Sequence, residues 1–132
     1  MKKIAFVCIH NSCRSQMAEA WAKILGKDII EVYSAGKEDY PEVKPLAVKV
    51  MEEENIDMSS HYPKLLQDIP NELDILITMG CGVECPYVPC KHREDWGLMD
   101  PSGGPIEGFR DTRDLIKAKV EDLIDRIERG VL

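Results

Sequence analysis

No apolar run in this chain of 132 residues approaches the length that crosses a bilayer, and the opening MKKIAFVC has too few apolar residues before Cys8 for a secretion signal. Both absences predict a cytoplasmic protein. There is no basic run either: acids and bases are interspersed to a formal charge of −7, which argues against nucleic acid or an anionic membrane as the main partner. Any anion must then be held by local geometry. Repeats, low-complexity tracts and linkers are also missing. At 44% hydrophobic, 132 residues suffice for one core and not comfortably for two, so a single domain over 1–132 is expected, and with no interaction face in view, a monomer. What the chain does have is five cysteines, Cys8, Cys13, Cys81, Cys85 and Cys90. An odd number in a reducing compartment points to catalysis, redox chemistry or metal rather than a disulfide framework.

Residues 3–7 (KIAFV) read as a short buried strand. Met17, Ala18, Trp21, Ile24 and Leu25 then recur at helical spacing before Gly26, with Glu19 and Lys23 set for an i,i+4 pair. Residues 29–34 form a second strand ending at Ala35-Gly36, residues 45–55 a helix with Leu46, Ala47, Val50 and Met51 on one face, and residues 64–68 a short helix. LDILIT at 73–78 is a nearly continuous apolar run, the pattern of a strand covered on both faces. Residues 80–110 are rich in proline and glycine, with Trp96, Leu98 and Met99 marking a last short strand. A final helix takes its acidic start from Asp111 and Asp114, its stripe from Leu115, Ile116, Val120, Leu123, Ile124 and Ile127, and its stop from Gly130. This alternation predicts an α/β fold, a three-layer αβα sandwich around a four-stranded parallel sheet, in which ligands bind beyond the carboxyl ends of the strands. The loops at 8–14 and from 79 onward begin at those ends.

Cys8-Ile9-His10-Asn11-Ser12-Cys13-Arg14-Ser15 is a cysteine, five residues, an arginine and a hydroxyl residue between strand and helix. Wrapped round a helix start, Ile9, His10, Asn11, Ser12 and Cys13 aim successive backbone N–H groups into one concavity, and Arg14 closes it bidentately on a tetrahedral oxyanion. The Cys8 sulfur sits at the base, where those N–H groups, the helix dipole and the Ser15 hydroxyl favour a thiolate. Asn11 is expected to hold the loop by side-chain bonds to backbone. His10 reads as a surface residue and Cys13 as a packed loop thiol.

This loop, the SQMAEAW helix and the YSAG strand end resemble the low-molecular-weight protein tyrosine phosphatases, and most of all their arsenate reductase branch. The resemblance covers essentially the whole chain, including Cys85-Pro86 and the Asp95-Trp96-Gly97 that precedes Asp100-Pro101. It implies that Asp100 approaches the loop as general acid. It further implies that arsenate, with phosphate and sulfate as mimics, is attacked by Cys8. Cys81 then attacks Cys8, Cys85 takes over the bond, and thioredoxin reduces the resulting Cys81–Cys85 disulfide. No cofactor and no metal are implied. Two electrons are needed to turn arsenate into arsenite, and a pair of thiols ending as a disulfide supplies them.

Three features depart from that pattern. The segment between Cys81 and Cys85 is shorter than in the best-known members. Cys90 is extra and stands as a second candidate for the outer relay partner. Some members build a potassium site near the loop from asparagine, glutamate, serine and aspartate; Asn11, Glu19 and Ser34 match, but Lys64 stands at the aspartate's place, so no potassium dependence is expected. Two rival readings remain open. One is a low-molecular-weight tyrosine phosphatase, although Ser102, Gly103 and Gly104 offer no ring to grip a phosphotyrosine. The other is a non-enzymatic metal or redox-sensing module on Cys81, Cys85, Cys90 and His92, whose spacing lacks the C-x2-C pairs of most structural zinc sites.

Overall fold

The computed structural model describes residues 1–80 and 88–132; Cys81 and Cys85 lie outside the described residues. In chain order the elements are β1 (Lys2–Cys8), α1 (Arg14–Leu25), β2 (Ile30–Gly36), α2 (Pro45–Glu52), β3 (Leu73–Thr78), β4 (Cys90–Asp95) and α3 (Ile106–Glu128), with a short 3-10 turn at Leu66–Asp68. The four strands are all parallel in the order β2-β1-β3-β4, as the strand–helix alternation predicts.

β1 is paired on both edges and covered on both faces, which is why every residue from Ile4 to Cys8 is buried. Its alternate side chains enter different apolar layers. Ile4, Phe6 and Cys8 join Met17 and Trp21 of α1, Val50 and Met51 of α2, and Ile116, Val120 and Leu123 of α3. Ala5 and Val7 face a smaller cluster with Ala35, Ile69, Leu73 and Leu76, beside the 3-10 turn. Each fully buried large side chain such as Phe6 or Leu123 contributes about 1.5–3 kcal/mol relative to its exposed state.

Two expectations need correction. The last strand is Cys90–Asp95, not the stretch around Trp96–Met99. As an edge strand it alternates half-buried and exposed residues, so CKHRED carries no apolar run to announce it. The apolar residues beyond it are buried because the chain folds back over the sheet edge: Trp96 packs on Phe6 at a ring separation of 5.6 Å, and the Leu98 N–H donates to the Met79 carbonyl at 3.2 Å. The last helix begins at Ile106, five residues before Asp111, with Pro105 ahead of it and Glu107 as the acid in its first turn. Its buried stripe therefore includes Phe109 and Arg113, while Leu115 is 55% exposed.

Glu94 fastens β4 to α3. Its carboxylate accepts two bonds from Arg126 at 2.9 Å and one from the Trp96 indole N–H at 2.9 Å, and lies 2.8 Å from a His92 ring nitrogen. The Arg126 hydrogen bonds, opposed by burial and helped by His92 and Trp96, hold its carboxyl down to about 2, from 4.5. With the folded-state value depressed, the stabilisation is complete above pH 4.5 and fades as pH falls toward 2. Glu94→Gln should lower stability by about 1–3 kcal/mol at pH 7. In urea melts the gap to the parent protein should narrow between pH 4.5 and pH 3; an equal gap at both pH values would contradict this coupling.

Candidate active site

The sheet register brings four strand ends level. Cys8 pairs with Gly36, Val7 with Thr78, and Thr78 with Asp95, so the loops that follow all leave one carboxyl edge. The loop at 8–14 is clamped from outside. The Ile9 carbonyl accepts from Lys37 and Glu38 N–H, each at 2.8 Å, and the Ser12 carbonyl from Lys44 N–H at 2.7 Å. A trans peptide sets N–H opposite C=O, so the N–H groups of His10 and Cys13 are turned away from these partners. Gly36 is required for this closeness: a Cβ there would stand 2.7 Å from the His10 carbonyl carbon and 2.8 Å from the Asn11 nitrogen.

The Cys8 sulfur is buried, 2.8 Å from the Ser15 hydroxyl oxygen, and accepts the Asn11 N–H at 3.2 Å. The direction of the Ser15 bond follows from a chain of donors. Backbone N–H of Lys64 can only donate, and it donates to Asn11 Oδ1 at 2.9 Å. Asn11 Nδ2 must then be the donor to Ser15 Oγ, at 2.8 Å, which leaves the Ser15 proton for the Cys8 sulfur. Gln16 extends the chain: its Nε2 donates to the Tyr62 carbonyl at 2.9 Å and to Asn11 Oδ1 at 2.9 Å, and its Oε1 takes a bond from His61 Nδ1 at 2.9 Å. Asn11 itself adopts a φ of 53°, a left-handed turn that asparagine tolerates better than most residues. It does hold the loop, but mainly through the side chains of Ser15 and Gln16; Lys64 N–H is its one backbone partner among these side-chain bonds.

Arg14, buried at the first turn of α1, donates through Nη1 to the Met79 carbonyl at 2.6 Å and the Leu98 carbonyl at 2.7 Å. Its Nη2 lies 3.9 Å from the Asp100 carboxylate. Cys8, Arg14 and Asp100 line a single cleft of about 220 Å³, together with Ser12, Cys13 and His10. Burial pushes the Asp100 carboxyl up, but hydrogen bonds from Ser102 and the charges of Arg14 and Lys44 outweigh it and hold the group below the ordinary carboxylate range. Burial, then the negative charges of Asp100 and Cys8, push the Cys13 thiol up to about 12. Cys13 is therefore held toward its protonated form, packed among the buried apolar residues of the larger layer.

Other residues of the site were not legible beforehand. Tyr40 and Lys44 also line the cleft, and Tyr40 packs on His10 at 5.0 Å between ring centres. A ring therefore reaches the cleft from the loop after β2, although Ser102, Gly103 and Gly104 supply none. The segment leading to Cys81 is held by Asp95, whose Oδ1 accepts the Thr78 hydroxyl at 2.6 Å and the Gly80 N–H at 2.9 Å. Gly80 has a φ of 98°, and a Cβ there would stand 2.9 Å from the Leu98 carbonyl oxygen. Cys90 pairs with Leu73 at the opposite end of the sheet, and His92 is engaged with Glu94. Behind the loop, Glu19 accepts the Ser34 hydroxyl at 2.7 Å, with Lys64 Nζ at 3.5 Å and Lys23 Nζ at 3.1 Å. Burial opposes ionisation of Glu19, but Lys64, Ser34 and Lys23 together lower its carboxyl.

Residues 3–131 match the family model of low molecular weight phosphotyrosine protein phosphatases. A glutaredoxin arsenate reductase of Synechocystis sp. is 44% identical over 131 residues, covering 96% of this chain and 99% of the relative. A solved arsenate reductase in its phosphate-binding state is 44% identical, with a TM-score of 0.88 over 96% of this chain and 99% of that one. A thioredoxin-dependent arsenate reductase of Corynebacterium glutamicum is 30% identical, with a TM-score of 0.80 over 98% of this chain and 63% of that one.

The ammonium of Lys64 beside Glu19 and Ser34 supplies the charge that a bound cation would otherwise provide, so these residues do not fit a potassium ion. Exchanging sodium for potassium at constant ionic strength should leave the melting temperature and the activity of the protein unchanged. A clear rise in either would show that Lys64 does not fill the site.

Proposed function

The chain belongs to the low molecular weight phosphotyrosine protein phosphatase family, and on that premise we propose that it reduces arsenate to arsenite through a thiol relay. The buried Cys8 sulfur, held by Ser15 and Asn11 at the base of a cleft whose wall contains Arg14 and Asp100, supports attack on an oxyanion, and the pair Cys81 and Cys85 in the sequence is what favours reduction over hydrolysis. Cys8 as thiolate attacks arsenic, while Arg14 and the loop N–H groups neutralise the oxyanion. Asp100 is ionised in the free protein; the negative charge of a bound oxyanion raises its affinity for a proton, which it then passes to the departing oxygen.

Cys81 attacks the Cys8 sulfur. The S–As bond breaks, its electron pair stays on arsenic as arsenite leaves, and Cys8–Cys81 is the two-electron oxidation product. Cys85 attacks Cys81 and frees Cys8, and the dithiol of thioredoxin reduces the Cys81–Cys85 disulfide. Cys90 is a poorer outer partner, because it begins β4 at the end of the sheet away from Gly80, roughly 16 Å along the strand direction. The relay needs no cofactor of its own, and we read the protein as a cytoplasmic monomer.

A tyrosine phosphatase is the second reading, favoured by the Tyr40 ring in the cleft wall. A phosphatase needs Cys8, Arg14 and Asp100 but has no use for Cys81 and Cys85. The relatives' names point to two reductants, glutaredoxin and thioredoxin, and we favour thioredoxin. With thioredoxin, thioredoxin reductase and NADPH, arsenate should drive NADPH oxidation while an aryl phosphate is hydrolysed slowly or not at all. Cys8→Ser, Cys81→Ser and Cys85→Ser should each abolish multiple turnover, and Cys90→Ser should retain it. Absence of arsenate-dependent NADPH oxidation with either reductant would overturn the reductase reading. Loss with Cys90→Ser but not Cys85→Ser would reassign the outer thiol.

A further inference from the structure

The cleft holds one more cation than its chemistry has used. Lys44 lies in the loop between β2 and α2, and its main chain is fixed against the anion loop by the 2.7 Å bond from its N–H to the Ser12 carbonyl. Its ammonium is hydrogen-bonded to the Tyr40 hydroxyl and lies 4.5 Å from the centre of the Tyr40 ring. Tyr40 is also packed against His10, 5.0 Å away between ring centres. Lys44 and Tyr40 face the same cleft as Cys8, Arg14 and Asp100, and the Lys44 charge is one of those that hold the Asp100 carboxyl ionised.

Charge bookkeeping gives this cation a task. Of the groups on the loop that would face a doubly charged oxyanion above a thiolate, Arg14 is the one with a full positive charge, the N–H groups contributing only dipoles, and Arg14 Nη1 is already committed to the carbonyls of Met79 and Leu98. Asp100 adds negative charge in the free protein, and the chain as a whole carries −7. An incoming dianion is therefore favoured by a further positive charge in the cleft, and Lys44 lines its wall.

We propose that Lys44 is a binding residue for doubly charged inorganic oxyanions, the second cation of this cleft, and that Tyr40 is the residue that positions its ammonium. The proposal rests on the reading of the cleft as an oxyanion site, and it concerns binding, not the thiol chemistry that follows. It also gives the Tyr40 ring a use other than gripping a phosphotyrosine: with Lys44 on its face and its hydroxyl, the ring is a support for a cation.

Calorimetric titration of inorganic phosphate into the full-length, reduced protein tests this without turnover. Lys44→Gln should weaken phosphate binding on the order of tenfold at low ionic strength and by less in half-molar salt, where the charge is screened. Lys44→Arg should recover most of the affinity. Tyr40→Phe should weaken binding by a smaller factor, and should add nothing in the Lys44→Gln background if Tyr40 acts through Lys44. Melting curves of each variant check that the fold is kept. Phosphate binding by Lys44→Gln equal to that of the parent at low salt would overturn the proposal, and additive effects of the two changes would overturn the positioning role of Tyr40. A parent protein that binds phosphate but consumes no thiols with arsenate would sink the reductase reading while leaving Lys44 in place. One that binds no phosphate but consumes thiols with arsenate would overturn the Lys44 proposal and leave the reductase reading in place.

Discussion

A guanidinium cannot shed its charge, so a buried one dictates what surrounds it. Arg14 meets that demand with the Met79 carbonyl at 2.6 Å, the Leu98 carbonyl at 2.7 Å and the Asp100 carboxylate at 3.9 Å. Met79 follows β3 and Leu98 follows β4, so one side chain at the start of α1 ties together three separate segments at the carboxyl edge of the sheet. Asp100, two residues beyond Leu98, owes its position over the cleft to that tie. The arginine that would neutralise an oxyanion is thus the one that brings the proposed acid to it, and substituting it would remove both at once.

The sulfur depends on a second constraint, the polarity of its hydrogen-bond chain. Lys64 N–H fixes the Asn11 amide, the amide fixes the Ser15 hydroxyl, and the hydroxyl proton is left for Cys8. The same Lys64 presents its ammonium to Glu19, itself bonded to Ser34 of β2. His61 joins the chain through Gln16, and burial, helped by Lys23 and Lys64 against the pull of Glu19, keeps its imidazole neutral by lowering its proton affinity. The active-site loop is therefore set from behind by residues whose side chains never enter the cleft.

Most of this was legible in the sequence where one local rule sufficed. The apolar runs at 3–7 and 73–78 announced central parallel strands, and Cys8, Arg14 and Ser15 could be read as lying together between strand and helix, where the Cys8 sulfur is 2.8 Å from the Ser15 hydroxyl oxygen. What stayed hidden were features decided by tertiary contact. β4 is an edge strand of mostly polar residues, so no hydrophobic period marks it. Leu115 fits a helical stripe by spacing alone, but Arg113 takes the buried place by bonding the Val50 carbonyl at 2.9 Å and Glu53. Lys44 and Tyr40 lie over twenty-five residues from the anion loop in sequence and reach it only because Gly36 pairs with Cys8 and turns the next loop across the site. Lys64 was readable as a substitution within a family pattern; its bond to Asn11 was not.

The central claim is that Cys8 begins a two-electron relay and does not merely form a hydrolysable ester. The most direct measurement mixes fully reduced protein with excess arsenate in the absence of any external reductant, then counts arsenite formed and thiols lost and maps the disulfides by peptide mass. One arsenite and two lost thiols per chain are expected, with the bond found between Cys81 and Cys85, and none of this in Cys8→Ser. No thiol loss, alongside steady hydrolysis of an aryl phosphate by the same preparation, would contradict it.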